Sequence, residues 1–375
     1  MNISKIDIEE FLTTASIDDY QCAVDMLFDI YEVKNDIEKY VITRIVKDIL
    51  TNKSTMEEIY NIRKEKLKKL KQLELPEQRT PEWYEMRKER LTASSLGSAI
   101  EKSHFQTREE LLLSKIEDKP YEANEITEWG VKYEDVAIAF YEELQNVTVL
   151  DFGMVPHPTF NAFGASPDGI CDDTGNDPLV ARMVEIKCPP KRKFTKTVPH
   201  HYWMQVQGQL EVCDLDECDF LQVKLEEYEN YQEYSSDVFE IDGFLQWGRT
   251  NLNYPKGATI TYKNNDKLSY KYCKLNLTDE QLHKWIADAE QNNIHEIKWW
   301  KITRYENTLV KRDTDWWSSS IEKILIFYND MMYYKNNPEK VQDLKDTIAL
   351  QKKRKRREEP KKLETFLLVS DDEGS

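Results

Sequence analysis

Apolar residues fall at helical spacing over the first part of the chain and switch to strand-like alternation further on. Over residues 1–75, "IDIEEFLTTASIDDYQCAVDMLFDIY" and "IEKYVITRIVKDIL" repeat apolar positions every three or four residues, the period of an amphipathic helix. "NIRKEKLKKLKQLEL" continues as a charged helix that ends at Pro76. The stretch holds no glycine and no strand signal, so it reads as an all-helical extension.

The pattern changes beyond Pro76. In "RTPEWYEMRKERLTASSLGSAI", Pro81 suits the first turn of a helix and "TASSLG" looks like a cap before a second one, with Ser94 a plausible capping residue. "NEITEWGVKYEDVAIAFYEEL" is strongly amphipathic, and "VTVLDFGMVPHPTFNAFGASPDGICDD" alternates and breaks like strands joined by turns. "VARMVEIKCPP" is a strand stopped by Pro189 and Pro190, "PHHYWMQVQGQLEVC" a helix and "CDFLQVKLEEYE" a further strand. This order predicts a mixed α/β core. A hairpin ("ATITYKNNDKLSYKYCKL"), a helix ("TDEQLHKWIADAEQNN"), a strand ("HEIKWWKITRYENTLVKRD") and an aromatic-rich helix ("TDWWSSSIEKILIFYNDMMYYKNN") follow. The expected divisions are 1–75, 76–335 and a flexible charged tail over 336–375.

Composition narrows the class. The 375 residues carry 52 Lys and Arg against 69 Asp and Glu, a net charge of −17. Nucleic-acid binders more often show a basic footprint, yet a basic groove can sit on an acidic body. The six cysteines are scattered with no CxxC pair and read as reduced intracellular thiols. No apolar run approaches the roughly 20 residues of a membrane span, and no signal peptide is evident, so a soluble intracellular protein is expected.

Two short segments carry the chemistry, "GASPDGI" and "VEIKCPP". On a strand, Glu185 and Lys187 share one face while Ile186 points to the other, toward the core. A buried acid beside a buried base is costly unless something uses the charges. Asp168 and Glu185 on adjacent strands suit a hard divalent cation such as Mg²⁺, and a lysine beside them suits metal-assisted phosphodiester hydrolysis. Taken alone, a D…ExK pattern is more often a structural ion pair.

The neighbouring motifs change that balance. "EWYEMRKERLTAS", "EWGVKYEDVA", "SPDG", "EIKCP" and "YWMQVQGQ" occur in this order over roughly residues 80–225. Together they resemble the phage lambda exonuclease and YqaJ-type viral recombinase family of the PD-(D/E)xK nuclease superfamily. The resemblance implies an α/β core with a mixed central sheet flanked by helices. It implies Asp168, Glu185, the main-chain carbonyl of Ile186 and Glu134 as metal ligands, with Mg²⁺ or, in its place, Mn²⁺. Lys187 would orient the attacking water. Gln205, with Tyr202 beside it, would help position that water; spacing alone does not separate Gln205 from Gln207. Arg87, Ser94 and Ser166 would bind a terminal 5′-phosphate. The implied activity is a 5′-to-3′ exonuclease on double-stranded DNA ends serving recombination, repair or replication. It would work with a single-strand annealing protein as partner and as a homo-oligomer, a ring trimer in the family.

Two rivals stay open: an endonuclease or structure-specific nuclease on the same core, and a non-catalytic DNA-binding scaffold. The second is disfavoured because Asp168, Glu185 and Lys187 are all present. His157, His200 and His201 read as packing or surface residues, and the paired tryptophans at 299–300 and 316–317 as core or partner-face aromatics. Cys213, Cys218 and Cys273 are too few and too spread for an iron–sulfur cluster. "PKRKFTK" after the catalytic strand is a candidate DNA-backbone contact or a solvated loop. "KKRKRR" at 352–357 reads as a nuclear localisation signal or a solvated basic run, which would place a viral protein in host cytoplasm or nucleus. "PKKLETFLL" only faintly resembles a sliding-clamp peptide.

Overall fold

In the computed structural model, residues 5–354 are described apart from 16, 18, 34–35, 104, 118–123, 176, 192–193, 265–266 and 291–293. The chain divides into two compact units, Met1–Lys69 and Leu70–Ser375. The first is helical: α1 (Lys5–Thr14), α2 (Tyr20–Ile30) and most of the long α3 (Asp36–Lys71). Asp19 caps α2 by accepting from the Cys22 N–H at 2.8 Å. Ile8, Leu12, Val24, Leu27, Ile42 and Val46 meet in the core of this unit, which accounts for the period seen in the sequence.

The second unit opens with α4 (Pro81–Glu89), capped by the Thr80 hydroxyl with Pro81 in its first turn. Next come β1 (Leu91–Thr92), a 3₁₀ turn over 93–95 and α5 (Leu96–Ala99), then α6 (Arg108–Ile116) and α7 (Glu125–Gln145). Both α6 and α7 start with reciprocal capping boxes, Thr107 with Glu110 and Asn124 with Thr127. The strands β2 (Val147–Leu150), β3 (Val155–Pro156), β4 (Phe163–Ala165), β5 (Gly169–Gly175) and β6 (Met183–Lys187) follow, then α8 (His200–Cys213) and β7 (Glu217–Glu227). After α9 (Tyr231–Ser236) come β8 (Phe239–Ile241), β9 (Phe244–Gln246), β10 (Lys256–Asn264), β11 (Lys267–Tyr272), α10 (Asp279–Glu290), β12 (Glu296–Lys311) and α11 (Thr314–Asn336).

Seven strands form one sheet in the order β11-β10-β12-β7-β6-β5-β2. Only β6 and β7 within it run parallel, because α8 carries the chain back between them, the crossover that parallel strands require. Tyr133, Val136 and Phe140 of α7 join Val184, Ile186, Leu221 and Val223 in the main core. The mixed α/β expectation therefore holds, sheet and flanking helices included. A smaller sheet, β1-β4-β3, pairs β1 parallel to β4 with Leu91 opposite Phe163 and Thr92 opposite Gly164. That register brings the segments after β1 and β4 side by side. The helix α8 packs against β4 and the 93–95 turn, and Gly208 permits it: a Cβ there would stand 3.0 Å from Phe163 Cζ and 3.1 Å from Leu96 Cδ2.

Two details differ from the sequence reading. Ser94 lies inside the 3₁₀ turn and does not cap a helix, since neither that turn nor α5 has a side-chain cap. The chain after residue 336 is not all tail: residues 341–354 are helical, with Leu344 and Ile348 buried. Lys345 pairs with Glu117 at 2.7 Å and Lys352 with Glu110 at 2.9 Å. Lys352 to Arg354 thus begin the basic run on a helix, while residues 355–357 and the "PKKLETFLL" segment lie outside the described residues. Leu344→Ala should lower the unfolding free energy by about 2 kcal/mol or more, measured by chemical denaturation. A change within the ~0.5 kcal/mol usual for surface positions would contradict the packing of this helix.

Candidate active site

Alternation along β6 sorts its residues: Val184 and Ile186 enter the main core, and Glu185 and Lys187 face α8. The Glu185 side chain is 0% exposed. One oxygen, Oε1, pairs with the Lys187 ammonium and accepts from Gln205 Nε2 at 2.7 Å. The other, Oε2, accepts from Gln209 Nε2 at 2.7 Å. A carboxylate with no access to water therefore has both oxygens satisfied by charge and by amides. Gln205 and Gln209 are four residues apart on one face of α8. Gln207 faces elsewhere, donating to the Lys311 carbonyl at 2.9 Å and accepting from the Asp313 N–H at 2.7 Å. The geometry separates the two glutamines that spacing left unresolved.

Asp168, the residue just before β5, accepts from the Ile186 N–H at 2.7 Å, so β6 fixes it from the side. Burial, then the charges of Glu185 and Glu134, push its carboxyl well above the usual carboxylate range, against the pull of Lys187. Glu134 on α7 is also raised by burial, opposed by Arg79, whose Nη2 lies 2.9 Å from Oε1. Burial lowers the Lys187 ammonium, but Glu185 and Asp168 outweigh it and hold the group above the ordinary lysine range. The Lys187 Nζ also lies 5.0 Å from the centre of the Tyr202 ring.

Arg87, Ser94 and Ser166 come from three separate segments and meet here. Arg87 Nη2 donates to Ser94 Oγ at 3.4 Å, and its guanidinium stacks 4.3 Å over the Trp83 ring. Trp83 Nε1 donates to Ser166 Oγ at 3.0 Å. The parallel β1–β4 register explains the convergence, since Ser94 and Ser166 follow paired strands. A cavity of about 220 Å³ is lined by Arg87, Ser94, Ser166, Asp168, Glu134 and Gln205, among others. The sequence reading missed Gln209, Trp83, Arg79 and Gln78. Gln209 was readable from its four-residue offset from Gln205, and Trp83 from the same offset to Arg87. Gln78, which donates to the Phe152 and Pro167 carbonyls at 3.0 and 3.2 Å, left no such signal.

No group of three or more His, Cys, Asp or Glu side chains among the described residues stands ready as a metal cage. Asp168, Glu185 and Glu134 are instead turned to the Ile186 N–H, to Lys187 and the glutamines, and to Arg79. The donor set nonetheless fits a hard cation. Burial raises both Asp168 and Glu134, and neighbouring carboxylates add to it, Glu185 and Glu134 at Asp168 and Asp135 and Glu185 at Glu134; a cation would relieve that crowding of negative charge. Gln209 lines the same cavity, and its Oε1 is buried without a hydrogen-bond partner among the described residues, a neutral oxygen of the kind such a cation takes. The remaining candidates take packing roles. His157 Nδ1 accepts from the Phe160 N–H at 3.1 Å and its ring stacks on Trp317. His200 stacks on Trp203, and Trp300 is fully buried.

Residues 82–216 match the YqaJ-like viral recombinase domain, the segment that holds Arg87 through Gln209. A curated relative, the uncharacterized protein R354 of Acanthamoeba polyphaga mimivirus, is 29% identical over 319 residues, 76% of this chain and 57% of its own length. The chain thus spans little more than half of that relative. Among solved structures, the alkaline exonuclease LHK-Exo from Laribacter hongkongensis is similar at 19% identity, covering 72% of this chain and 100% of its own, with a TM-score of 0.40. A phage-related exonuclease from Haemophilus somnus 129PT is similar at 13% identity, covering 69% and 96%, with a TM-score of 0.33.

Gln205→Ala and Gln209→Ala should each lower any metal-dependent activity by roughly 10–100-fold, the usual cost of removing a partner that orients a ligand, with the fold retained by circular dichroism. Gln207→Ala should change stability and leave the activity near that of the unsubstituted protein. Equal activity loss at all three positions would contradict the assignment of faces on α8.

Proposed function

We propose that the protein is a divalent-cation-dependent deoxyribonuclease acting 5′ to 3′ from duplex DNA ends. One observation carries this reading: Asp168 and Glu134, the two glutamines that hold the buried Glu185, and the Arg87–Ser94–Ser166 cluster all line one small cavity. The match to a viral recombinase domain over 82–216 supports a role in recombination, with a strand-annealing protein as the expected partner. Among the described residues no helix is long and apolar enough to cross a membrane.

Asp168, Glu185 and Glu134 would hold Mg²⁺ or Mn²⁺, with the Ile186 carbonyl and the Gln209 amide oxygen as neutral donors. The bound ion would supply Lewis-acid stabilisation of charge developing on the phosphate. The chain's own groups do the rest. Lys187 stays a cation at neutral pH, so it donates a hydrogen bond and does not act as a base; it orients the water or a phosphate oxygen. Gln205 and Gln209 keep Glu185 aimed. Arg87, with Ser94 and Ser166, fixes a terminal phosphate through charge-assisted bonds, so that the strand end sits at a set distance from the carboxylates.

Chelator should abolish cleavage of linear duplex, and Mg²⁺ or Mn²⁺ should restore it; Asp168→Ala and Glu185→Ala should not recover. The same cation has a stability signature. Asp168, raised in the folded protein, keeps its proton where the unfolded chain has lost it, so metal-free stability falls as pH rises through that window. Mg²⁺ should therefore raise the melting temperature more near about pH 8 than near about pH 5. Undiminished cleavage in chelator would overturn the metal reading.

Arg87→Ala should slow digestion of 5′-phosphorylated duplex by about tenfold or more, matching a charged hydrogen bond worth roughly 1.5–3 kcal/mol. The rate on 5′-hydroxyl duplex should change little, so that the two substrates become nearly equivalent. No preference for the phosphorylated end in the unsubstituted protein would remove the end-anchoring role.

A further inference from the structure

Phe105, in the loop between α5 and α6, is 79% exposed, the most exposed large apolar side chain among the described residues. Single exposed apolar residues are common, but this ring belongs to a series. Its centre lies 5.1 Å from that of His201 at an interplanar angle of 75°. His201 lies 4.0 Å from Tyr202 at 47°, and the Tyr202 ring lies 5.0 Å from Lys187 Nζ. Aromatic rings thus run from open solvent to the lysine that pairs with Glu185.

The surroundings indicate what would use these rings. Gln106, next in the chain, lines a groove of about 900 Å³ together with Arg87, Lys88, Lys115 and Tyr84. Arg79, Trp83 and Arg87 line both this groove and the 220 Å³ cavity beside it. Arg79, Arg87 and Lys88 outnumber Glu85 and Glu117 on the groove's walls, and cations set beside aromatic side chains are the arrangement that holds single-stranded nucleic acid, phosphates on the cations and bases on the rings. The cavity beside the carboxylates is too small for a base pair. A strand whose phosphate enters it must first part from its complement, and the freed base loses its stacking partners.

We infer that Phe105, with His201 behind it, forms a stacking subsite for the unpaired terminal nucleobase of the strand being cut, of any base identity. This rests on the nuclease reading above. Stacking of the freed base on Phe105 offsets the lost duplex stacking, so the ring promotes opening of the end. Phe105 is a positioning residue for the substrate and has no part in bond cleavage. Its exposure means that its removal leaves the core intact.

Two 5′-phosphorylated duplexes separate the possibilities, one fully paired and one with its last two base pairs mismatched, each with 2-aminopurine at the 5′ end. Phe105→Ala should slow digestion of the paired duplex on the order of tenfold and that of the mismatched duplex much less, while Phe105→Trp should retain the rate on both. In chelator, the unsubstituted protein should quench 2-aminopurine in the mismatched end and Phe105→Ala should not, which reads stacking without cleavage. Equal rates for Phe105→Ala and the unsubstituted protein, or equal loss on both duplexes, would overturn the inference. So would absence of the quench, whether or not the protein cleaves DNA. A loss of self-association in Phe105→Ala with unaltered digestion would make the ring a contact between protein copies instead. Failure of the nuclease reading is a separate result, seen as no cleavage by the unsubstituted protein in Mg²⁺.

Discussion

The Glu185 carboxylate, fully withdrawn from water, is the constraint around which the second unit is arranged. An isolated charge in such a place would cost far more than a domain's net stability. It is tolerated because Lys187 on the same strand supplies a cation and two glutamines of α8 supply amides. Each of those partners needs its own element in place. The strand must alternate so that 185 and 187 share a face, and the helix must lie close enough for Gln205 and Gln209 to reach. Gly208 between them allows that approach. Replacing such a pair with apolar residues is often neutral or stabilising in proteins, so its presence points to use and not to structural economy.

The topology assembles the rest of the cavity. The one parallel pair in the main sheet, β6 with β7, forces a crossover, and α8 is that crossover. The small sheet repeats the device, since parallel pairing of β1 with β4 carries Ser94 and Ser166 to one place. Trp83 then bridges the two walls, stacked under Arg87 and hydrogen-bonded to Ser166. Arg87, Ser94, Ser166 and the carboxylates, scattered along the sequence, thus become neighbours through two strand registers and one helix.

Much of this was legible in the sequence because it depends on local periodicity. The alternation in "VEIK" placed Glu185 and Lys187 together and Ile186 in the core, as found. The helical period foretold α7, α8 and the N-terminal helices. Long-range consequences were harder. Ser94 looked like a cap because Ser favours helix starts, yet tertiary packing drew "TASS" into a 3₁₀ turn whose hydroxyls bond to Thr92 and Arg87. The basic residues after 340 suggested a solvated tail, while Leu344 and Ile348, four apart, form a buried stripe that brings a helix into the fold. Arg79 escaped notice because its pairing with Glu134 spans 55 positions and no periodicity encodes it.

The central claim, a cation-dependent nuclease that works from DNA ends, is tested most directly by one digestion. The same plasmid, covalently closed in one sample and linearised with 5′-phosphorylated ends in the other, is incubated with the protein and Mg²⁺ and followed by electrophoresis and release of acid-soluble nucleotide. The account predicts progressive loss of the linear form with the closed circle intact. Nicking or linearisation of the circle at a comparable rate, or loss of neither form, would contradict it.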